Sequence, residues 1–333
     1  MKAQVLKEVS PVENRPLHLM DLPVPLPRPK QVLVKVSACG VCHTELDEIE
    51  GRVQARLPIV LGHEIVGRVE SLGSGVTKFK IGERVGISWL YSTCGKCQFC
   101  NEGKENLCYE FKGTGCEANG GYAEYTVVSE DFAFPIPDRF TDSQAAPLLC
   151  AGAIGFRDLR LSGINPGQTL GLFGFGASAH IVLQVAQYWG CRVFVFSRSE
   201  EHRNLAKKLG AAWTGKAEDV PPEKLNCAID FTPVGETVPS ALRALEKGGR
   251  LVVAVIRKRN SVPPLDYAGL LWDEKEIKSV ANITRKDAQD FLPLAAKIPI
   301  IPEVQEFRLE EANEALILLK QGRIQGAAVL IID

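Results

Sequence analysis

The sequence predicts an α/β protein with two parts. A β-rich half carries metal-binding side chains, and a doubly wound parallel sheet with helices on both faces follows it. Three observations predict this. Up to Cys150, short apolar runs are broken by glycines. Beyond it, strand-like and helix-like patterns alternate. Between the first such strand and helix lies a glycine turn, Gly174-Phe175-Gly176-Ala177-Ser178-Ala179.

In the first half, Val32–Val36 and Ile65–Glu70 read as strands, and Leu57-Pro58-Ile59-Val60-Leu61 is strand-like. Gly73, Gly75, Gly82 and Gly86 read as turns. The proline-rich Leu22–Pro29 reads as an extended connector rather than a peptide ligand. In the second half, Gln168–Phe173 is an apolar strand, and His180–Tyr188 has helical spacing ending at Gly190. Arg192–Phe196 is a strand, Glu201–Leu209 a helix closed by Gly210, and Cys227–Phe231 and Arg250–Ile256 are further strands. A helix over Leu309–Gln321 and a strand over Ala327–Ile332 end the chain.

The bulk properties narrow the classes of function. A chain of 333 residues predicts two domains. With 45% hydrophobic and 24% charged residues, it reads as globular rather than disordered. The net charge of -1 offers no surplus for a nucleic-acid partner. Met1–Glu8 has no apolar run behind its lysine, so a secretion signal is not expected. No apolar stretch reaches the roughly 18 residues of a spanning helix. The expectation is a soluble, cytoplasmic protein with no membrane partner. Ten clustered cysteines then read as metal thiolates rather than disulfides.

Cys94, Cys97, Cys100 and Cys108 form C-x2-C-x2-C-x7-C. Four thiolates suit tetrahedral zinc, and the short spacings let one loop wrap the ion. Such a set leaves no open position, so its expected role is structural. The competing readings are an iron–sulfur cluster and four free surface thiols.

A second set is dispersed: Cys42 in Cys39–Glu45, His63 in Gly62-His63-Glu64, and Cys150 where the two halves meet. Alone, each is a weak signal, since a lone cysteine is usually a small buried hydrophobe. Together, two cysteines and a histidine leave zinc's fourth position open for a water or a substrate oxygen.

The glycine turn fits G-x-G-x-x-A between a strand and a helix, where glycine lets the backbone approach a pyrophosphate. At the end of the next strand, a site for NAD carries an acid for the ribose 2′-hydroxyl. Here the residues are Ser197-Arg198-Ser199, which suit the 2′-phosphate of NADP(H). The competing reading is a solvated loop arginine, and Glu200 and Glu201 follow directly.

Across essentially the whole chain these blocks resemble the zinc-dependent medium-chain alcohol dehydrogenases. The likeness runs toward the bacterial and cinnamyl-alcohol-dehydrogenase-like branches. It is carried by Cys42-His43-Thr44-Glu45, Gly62-His63-Glu64, the four-cysteine lobe, Cys150-Ala151-Gly152 and the glycine turn, in the family's order and spacing. The resemblance implies a GroES-like catalytic domain over 1–152 with a zinc lobe at 91–110. It also implies a Rossmann cofactor domain over 153–281 and a return to the catalytic domain over 282–333. Two zinc ions per chain are implied: catalytic zinc on Cys42, His63 and Cys150, and structural zinc on Cys94, Cys97, Cys100 and Cys108.

The resemblance also assigns roles around the catalytic ion. Glu64 is the acid that coordinates zinc when substrate is absent. Thr44 contacts the alcohol oxygen and begins a proton relay. Glu45 orients His63, His43 lies near the cofactor pyrophosphate, and Trp89 lines the substrate pocket. Cys39 is not expected to be a ligand. Three positions depart from the family pattern: Ile154 for a usual threonine, Ala327 for an arginine (Arg323 lies nearby), and Asp47 for the relay histidine. Asp47 is expected to finish the relay, unless Leu46–Glu50 is an exposed acidic turn. The implied reaction is reversible hydride transfer between a small-molecule alcohol or aldehyde and NADP(H), preferred over NAD(H), in a homo-oligomer, dimer or tetramer. The alternatives are a polyol or amino-alcohol dehydrogenase on the same scaffold, and a non-catalytic zinc protein that keeps cofactor binding.

Overall fold

The computed structural model describes residues 1–333. The first strands are β1 (Lys2–Leu6), β2 (Leu17–Asp21) and β3 (Gln31–Val41), followed by α1 (His43–Ile49). Then come β4 (Ile59–Val60), β5 (Ile65–Leu72), β6 (Arg84–Ile87), β7 (Leu90–Ser92), α2 (Gln98–Asn101), β8 (Lys112–Gly113), β9 (Tyr125–Ser129), β10 (Ala133–Pro135) and α3 (Asp142–Ala145). The next run is α4 (Ala151–Ser162), β11 (Thr169–Phe173), α5 (Ala177–Tyr188), β12 (Arg192–Phe196), α6 (Glu200–Lys208), β13 (Trp213–Gly215), β14 (Leu225–Asp230), α7 (Thr237–Ala244), β15 (Leu245–Val253), α8 (Tyr267–Leu270) and β16 (Glu276–Ser279). The last elements are α9 (Arg285–Lys297), β17 (Val304–Arg308), α10 (Ala312–Lys320) and β18 (Ala327–Ile331).

These elements form two compact units. One comprises Met1–Cys150, Ile283–Ala296 and Pro302–Asp333; the other comprises Ala151–Asn282 and Lys297–Ile301. The first unit is built on a seven-stranded sheet in which β3 is the hub. One edge of β3 pairs antiparallel with β5 along its length. The other edge is shared: Gln31–Lys35 pairs with β9, and Ala38–Val41 pairs with β18. The strand reads Val32-Leu33-Val34-Lys35-Val36, and all but Lys35 of these are buried.

The second unit holds a six-stranded sheet, every neighbouring pair parallel, in the order β13-β12-β11-β14-β15-β16. Chain order reverses between β11 and β14, which is the switch point of a doubly wound sheet. All five residues of β11 are buried, as expected for a central parallel strand covered on both faces. Phe173 and Phe196, at the ends of β11 and β12, stack with ring centroids 4.1 Å apart. Ser199 starts α6 by accepting the His202 N–H at 3.2 Å, with Glu200 and Glu201 in the first turn and Lys207 and Lys208 in the last.

Some local expectations give way to packing. The strand-like Leu57–Leu61 narrows to Ile59–Val60. Gly86 is not a turn but lies inside β6, where an added Cβ would meet Ile136 and Leu149 at 2.6–2.7 Å. The helix over Leu309–Gln321 opens as a 3-10 turn at Leu309–Glu311 before α10 begins. Leu46–Glu50 is not an exposed acidic turn. It is mostly the end of α1, with Leu46, Asp47, Glu48 and Ile49 all buried.

Candidate metal centre and cofactor turn

Strand pairing assembles the first site. Because β3 and β5 run antiparallel with Cys39 opposite Ile65, the residues after β3 meet the residues before β5. Cys42 therefore lies beside His63 and Glu64, and the Gly40 N–H donates to the Glu64 carbonyl at 2.9 Å. Gly62 holds a φ of +95°, a backbone state L side chains rarely adopt, and an added Cβ would strike the Tyr122 ring at 2.4 Å. Gly40 serves differently. It leaves the volume that the Glu64 carboxylate fills, since a Cβ there would sit 1.9 Å from Glu64 Oε2. Cys150 arrives from a 3-10 turn, Ala146–Leu149.

The ligand atoms of Cys42, His63, Glu64 and Cys150 all lie within 4.8 Å of one another. Tetrahedral zinc, with sulfur at about 2.3 Å and nitrogen at about 2.0 Å, spaces its donors about 3.5–3.8 Å apart. His63 Nε2 and Cys150 Sγ stand 3.3 Å apart. The donor set thus fits such an ion. Its electrostatics point the same way. Hydrogen bonding from Cys150 pushes the Cys42 thiol well below its ordinary range, against burial and with help from His63. Burial drives the Glu64 carboxyl well up, and the Cys42 sulfur adds to it. Burial works against a charged His63 ring, but Glu45 and Cys42 outweigh it and hold the imidazole well above its usual value. Burial disfavours charge on the carboxyl of Glu64 while the Cys42 thiol is lowered, and a dication bound among these donors would offset the cost of ionising them.

Glu45 serves both sides of this pocket. Its Oε1 lies 2.6 Å from His63 Nδ1, and its Oε2 accepts the Cys42 N–H at 2.7 Å. Thr44 Oγ1 is 3.6 Å from Cys42 Sγ, and Trp89 meets the His63 ring edge-on at 5.2 Å. His43 is exposed at the first turn of α1. Asp47 lies three residues beyond Thr44, a spacing that puts both on one helix face. Its carboxylate accepts from Arg52 Nε at 2.6 Å. Cys39 is buried outside the ligand group, with its Sγ 3.7 Å from the Gly40 carbonyl.

Cys94, Cys97, Cys100 and Cys108 also gather their sulfurs within 4.8 Å. Cys100 Sγ is 3.9 Å from that of Cys94 and 3.6 Å from that of Cys97, close to the spacing of about 3.8 Å in a zinc–sulfur tetrahedron. Backbone amides face the sulfurs: Cys97 N–H donates to Cys94 Sγ at 3.3 Å, and the Cys94 and Glu110 amides donate to Cys108 Sγ at 3.4 Å. The Lys96 and Cys97 amides lower the Cys94 thiol to about 6, a thiolate near neutral pH. The lobe is tied down where Glu105 accepts from the Arg285 side chain at 2.6 Å and from its N–H at 2.7 Å.

In the second unit the glycine turn stands at the carboxyl end of β11, beside the switch point. Gly174 has a φ of +85°, and its N–H donates to the Phe196 carbonyl at 2.8 Å. Phe175 is buried, Gly176 is exposed and precedes α5, Ala177 and Ser178 are half-buried, and Ala179 packs into the core. An α5 N-terminus beside a glycine turn is the arrangement that receives a pyrophosphate. At the end of β12, Ser197 is buried and its N–H donates to the Gly215 carbonyl, while Arg198 is exposed. Arg203 donates to the carbonyls of Ser197 at 2.7 Å and Arg198 at 2.9 Å, which fixes this corner. Glu201 is turned onto the Ser199 hydroxyl at 2.7 Å. Ile154 lies in α4, Ala327 is a buried β18 residue, and Arg323 is exposed.

Sequence reasoning missed the parts played by Gly40 and Arg52. Gly40 had a readable signal, since a glycine within a strand pattern marks close approach of another group. Arg52 had none, because its pairing with Asp47 depends on the chain turning after α1.

A family model described as the alcohol dehydrogenase GroES-like domain matches residues 28–138. A second, described as zinc-binding dehydrogenase, matches residues 179–297. A probable alcohol dehydrogenase AdhA of Mycobacterium tuberculosis is 45% identical over 338 residues, covering 100% of this chain and 97% of the relative. A cinnamyl alcohol dehydrogenase structure from Sorghum bicolor aligns with a TM-score of 0.90 at 26% identity, covering 99% of this chain and 97% of that one. An acetophenone reductase from Geotrichum candidum, solved in complex with NAD, aligns with a TM-score of 0.89 at 26% identity, covering 99% and 96%.

Proposed function

Because this chain belongs to the zinc-type medium-chain alcohol dehydrogenases and is an NAD(P)-dependent oxidoreductase, we propose that it interconverts primary alcohols, aromatic or of medium chain length, and their aldehydes, with NADP(H) preferred over NAD(H). The observation that carries the reading is the convergence of Cys42, His63, Glu64 and Cys150 with Thr44 alongside. These ligands would hold a zinc ion, which when bound supplies Lewis acidity at the substrate oxygen. Nicotinamide cofactor, when bound at the Gly174–Ala179 turn, supplies or accepts the hydride.

The chain's own residues supply the rest. Glu45 fixes the tautomer and angle of His63 while anchoring the start of α1. The buried Thr44 hydroxyl both donates and accepts, so it takes the alcohol proton and passes it on. Asp47, or a water it holds, finishes the path, with its Arg52 partner reaching toward solvent. The Trp89 ring beside His63 gives an apolar wall that suits an aromatic or alkyl substituent. A panel of alcohols and aldehydes run with both cofactors tests the reading. Turnover confined to polyols or amino alcohols would move the substrate class, and no hydride transfer on any member would leave a non-catalytic zinc protein. Assembly as a dimer or tetramer in the cytoplasm completes the proposal.

Two zinc ions per chain are proposed. Elemental analysis should return two, and Cys97→Ser should remove one while lowering Tm and leaving kcat of the folded enzyme near native. Full thermal stability in Cys97→Ser would count against a structural role for the lobe. For the relay, Asp47→Asn should slow alcohol oxidation and displace a limb of the pH–rate profile, with Asp47→His recovering part of the rate. Native rates for Asp47→Asn at every pH would route the proton through the cofactor ribose and water instead.

A further inference from the structure

An ion pair between a buried carboxylate and a half-buried lysine, next to the cofactor turn, is not used by any step above. Asp230 ends β14 at the switch point and is fully buried. Its Oδ1 accepts from the N–H and hydroxyl of Thr232 at 2.8 and 2.7 Å, and its Oδ2 accepts from the Thr237 hydroxyl at 2.8 Å. Lys258, on the loop after β15, donates to Asp230 Oδ2 at 2.6 Å and to the Thr232 carbonyl at 2.7 Å.

The pair is the inner end of a seam between two loops. Arg259 N–H donates to the Pro233 carbonyl at 2.7 Å, Gly235 N–H donates to Asn260 Oδ1 at 3.2 Å, and Asn260 Nδ2 donates to Glu236 at 2.7 Å. The seam leaves no room to slip: a Cβ on Gly235 would stand 2.2 Å from the Ser261 carbonyl oxygen. The same Thr232 that Lys258 holds also backs the cofactor turn, with its Cγ2 3.1 Å from where a Gly174 Cβ would lie.

We propose that Asp230 and Lys258 are a positioning pair for the cofactor, locking the loop after β14 behind Gly174 and so setting cofactor affinity apart from hydride transfer. Ligands of doubly wound sheets bind outside the strand carboxyl ends at the switch point, where this seam lies. A loop already fixed there loses little freedom when the cofactor arrives, and a loosened one must be ordered at the expense of binding. The inference rests on the proposed use of the Gly174 turn by a nicotinamide cofactor.

Lys258→Met leaves Asp230 buried without its cation, and Asp230→Asn/Lys258→Met removes both charges. Cofactor titration by fluorescence should give a Kd raised about tenfold in both variants, the scale of one hydrogen bond to a charged group. At saturating cofactor, kcat and the KM for alcohol should stay native. Tm should fall in the single variant and recover in the double one. Native Kd in the double variant, or a fallen kcat with native Kd, overturns the positioning role. A native protein that binds neither NADPH nor NADH overturns the proposed function instead.

Discussion

Glu45→Gln is expected to weaken zinc retention at Cys42, His63 and Cys150, or kcat/KM, by about 10- to 100-fold, the usual effect of removing a partner from a metal-bound histidine. The geometry gives the reason. One Glu45 oxygen meets His63 Nδ1 at 2.6 Å while the other accepts the Cys42 N–H at 2.7 Å. An amide has a single acceptor oxygen, so glutamine can serve Cys42 or His63 but not both. If it keeps Cys42, its NH2 faces the Nδ1–H donor across a buried contact, and the ring must turn or change tautomer. Either outcome disturbs Nε2, the nitrogen 3.3 Å from Cys150 Sγ. Zinc retained after dialysis against a mild chelator, measured beside kcat/KM, checks this. Native values for both would mean that the pocket's shape alone holds His63. Because Glu45 is buried in the same unit as the thiols, Tm should be recorded with zinc bound, so that loss of fold is separated from loss of ligand geometry.

Arg198→Ala is expected to erase most of the preference for NADPH. In the native enzyme the preference should be roughly 10- to 150-fold, the equivalent of a charge-assisted hydrogen bond of about 1.5–3 kcal/mol. Arg198 is exposed, so screening by salt draws the effect toward the lower end of that range and lets added salt diminish it. Nearby negative charge is partly turned away, since Glu201 is engaged with the Ser199 hydroxyl. Arg203 holds the two carbonyls that present Ser197 and Arg198, so the corner is fixed whether or not residue 198 carries a charge. The ratio of kcat/KM for NADPH and NADH in both proteins is the measurement. Equal values in the native enzyme would make Arg198 a solvated loop residue.

Features written in short range were legible in the sequence. The four lobe cysteines lie within 15 residues, and the glycine turn needs only a strand before it and a helix after it. Arg192–Phe196 was readable because Val193–Phe196 is an uninterrupted apolar run, as a strand buried on both faces requires. Elements with mixed patterns were not. Ala151–Ser162 carries Gly152 and Gly155, poor helix formers, yet it is helical because Gly155 lets Val182 of α5 approach to where a Cβ would meet it at 2.3 Å. Arg285–Lys297 contains Pro293, which argues against a helix locally. At the candidate metal centre the residues that cluster were readable from their neighbours. The room that Gly40 leaves for Glu64 depends on the β3–β5 register, and so does the approach of Cys42 to His63. The Asp47–Arg52 and Asp230–Lys258 pairs belong to the same class: neither has a sequence spacing that a helix or strand would enforce.

The shared edge of β3 has a consequence for biosynthesis. Val41, Gly40, Cys39 and Ala38 pair with Ala328 to Ile331, a separation of nearly the whole chain. A nascent polypeptide halted anywhere between residues 150 and 327 carries every candidate metal ligand, yet the strand leading into Cys42 has an unsatisfied edge. Such an edge is a template for the wrong neighbour, and emergence from the ribosome at about 5–20 residues per second keeps it open for many seconds. The candidate metal pocket is therefore finished last, although Cys42, His63 and Glu64 lie in the first fifth of the chain. Shielding of that edge during synthesis is expected to raise the yield of folded chain, and co-expression with chaperones would check it.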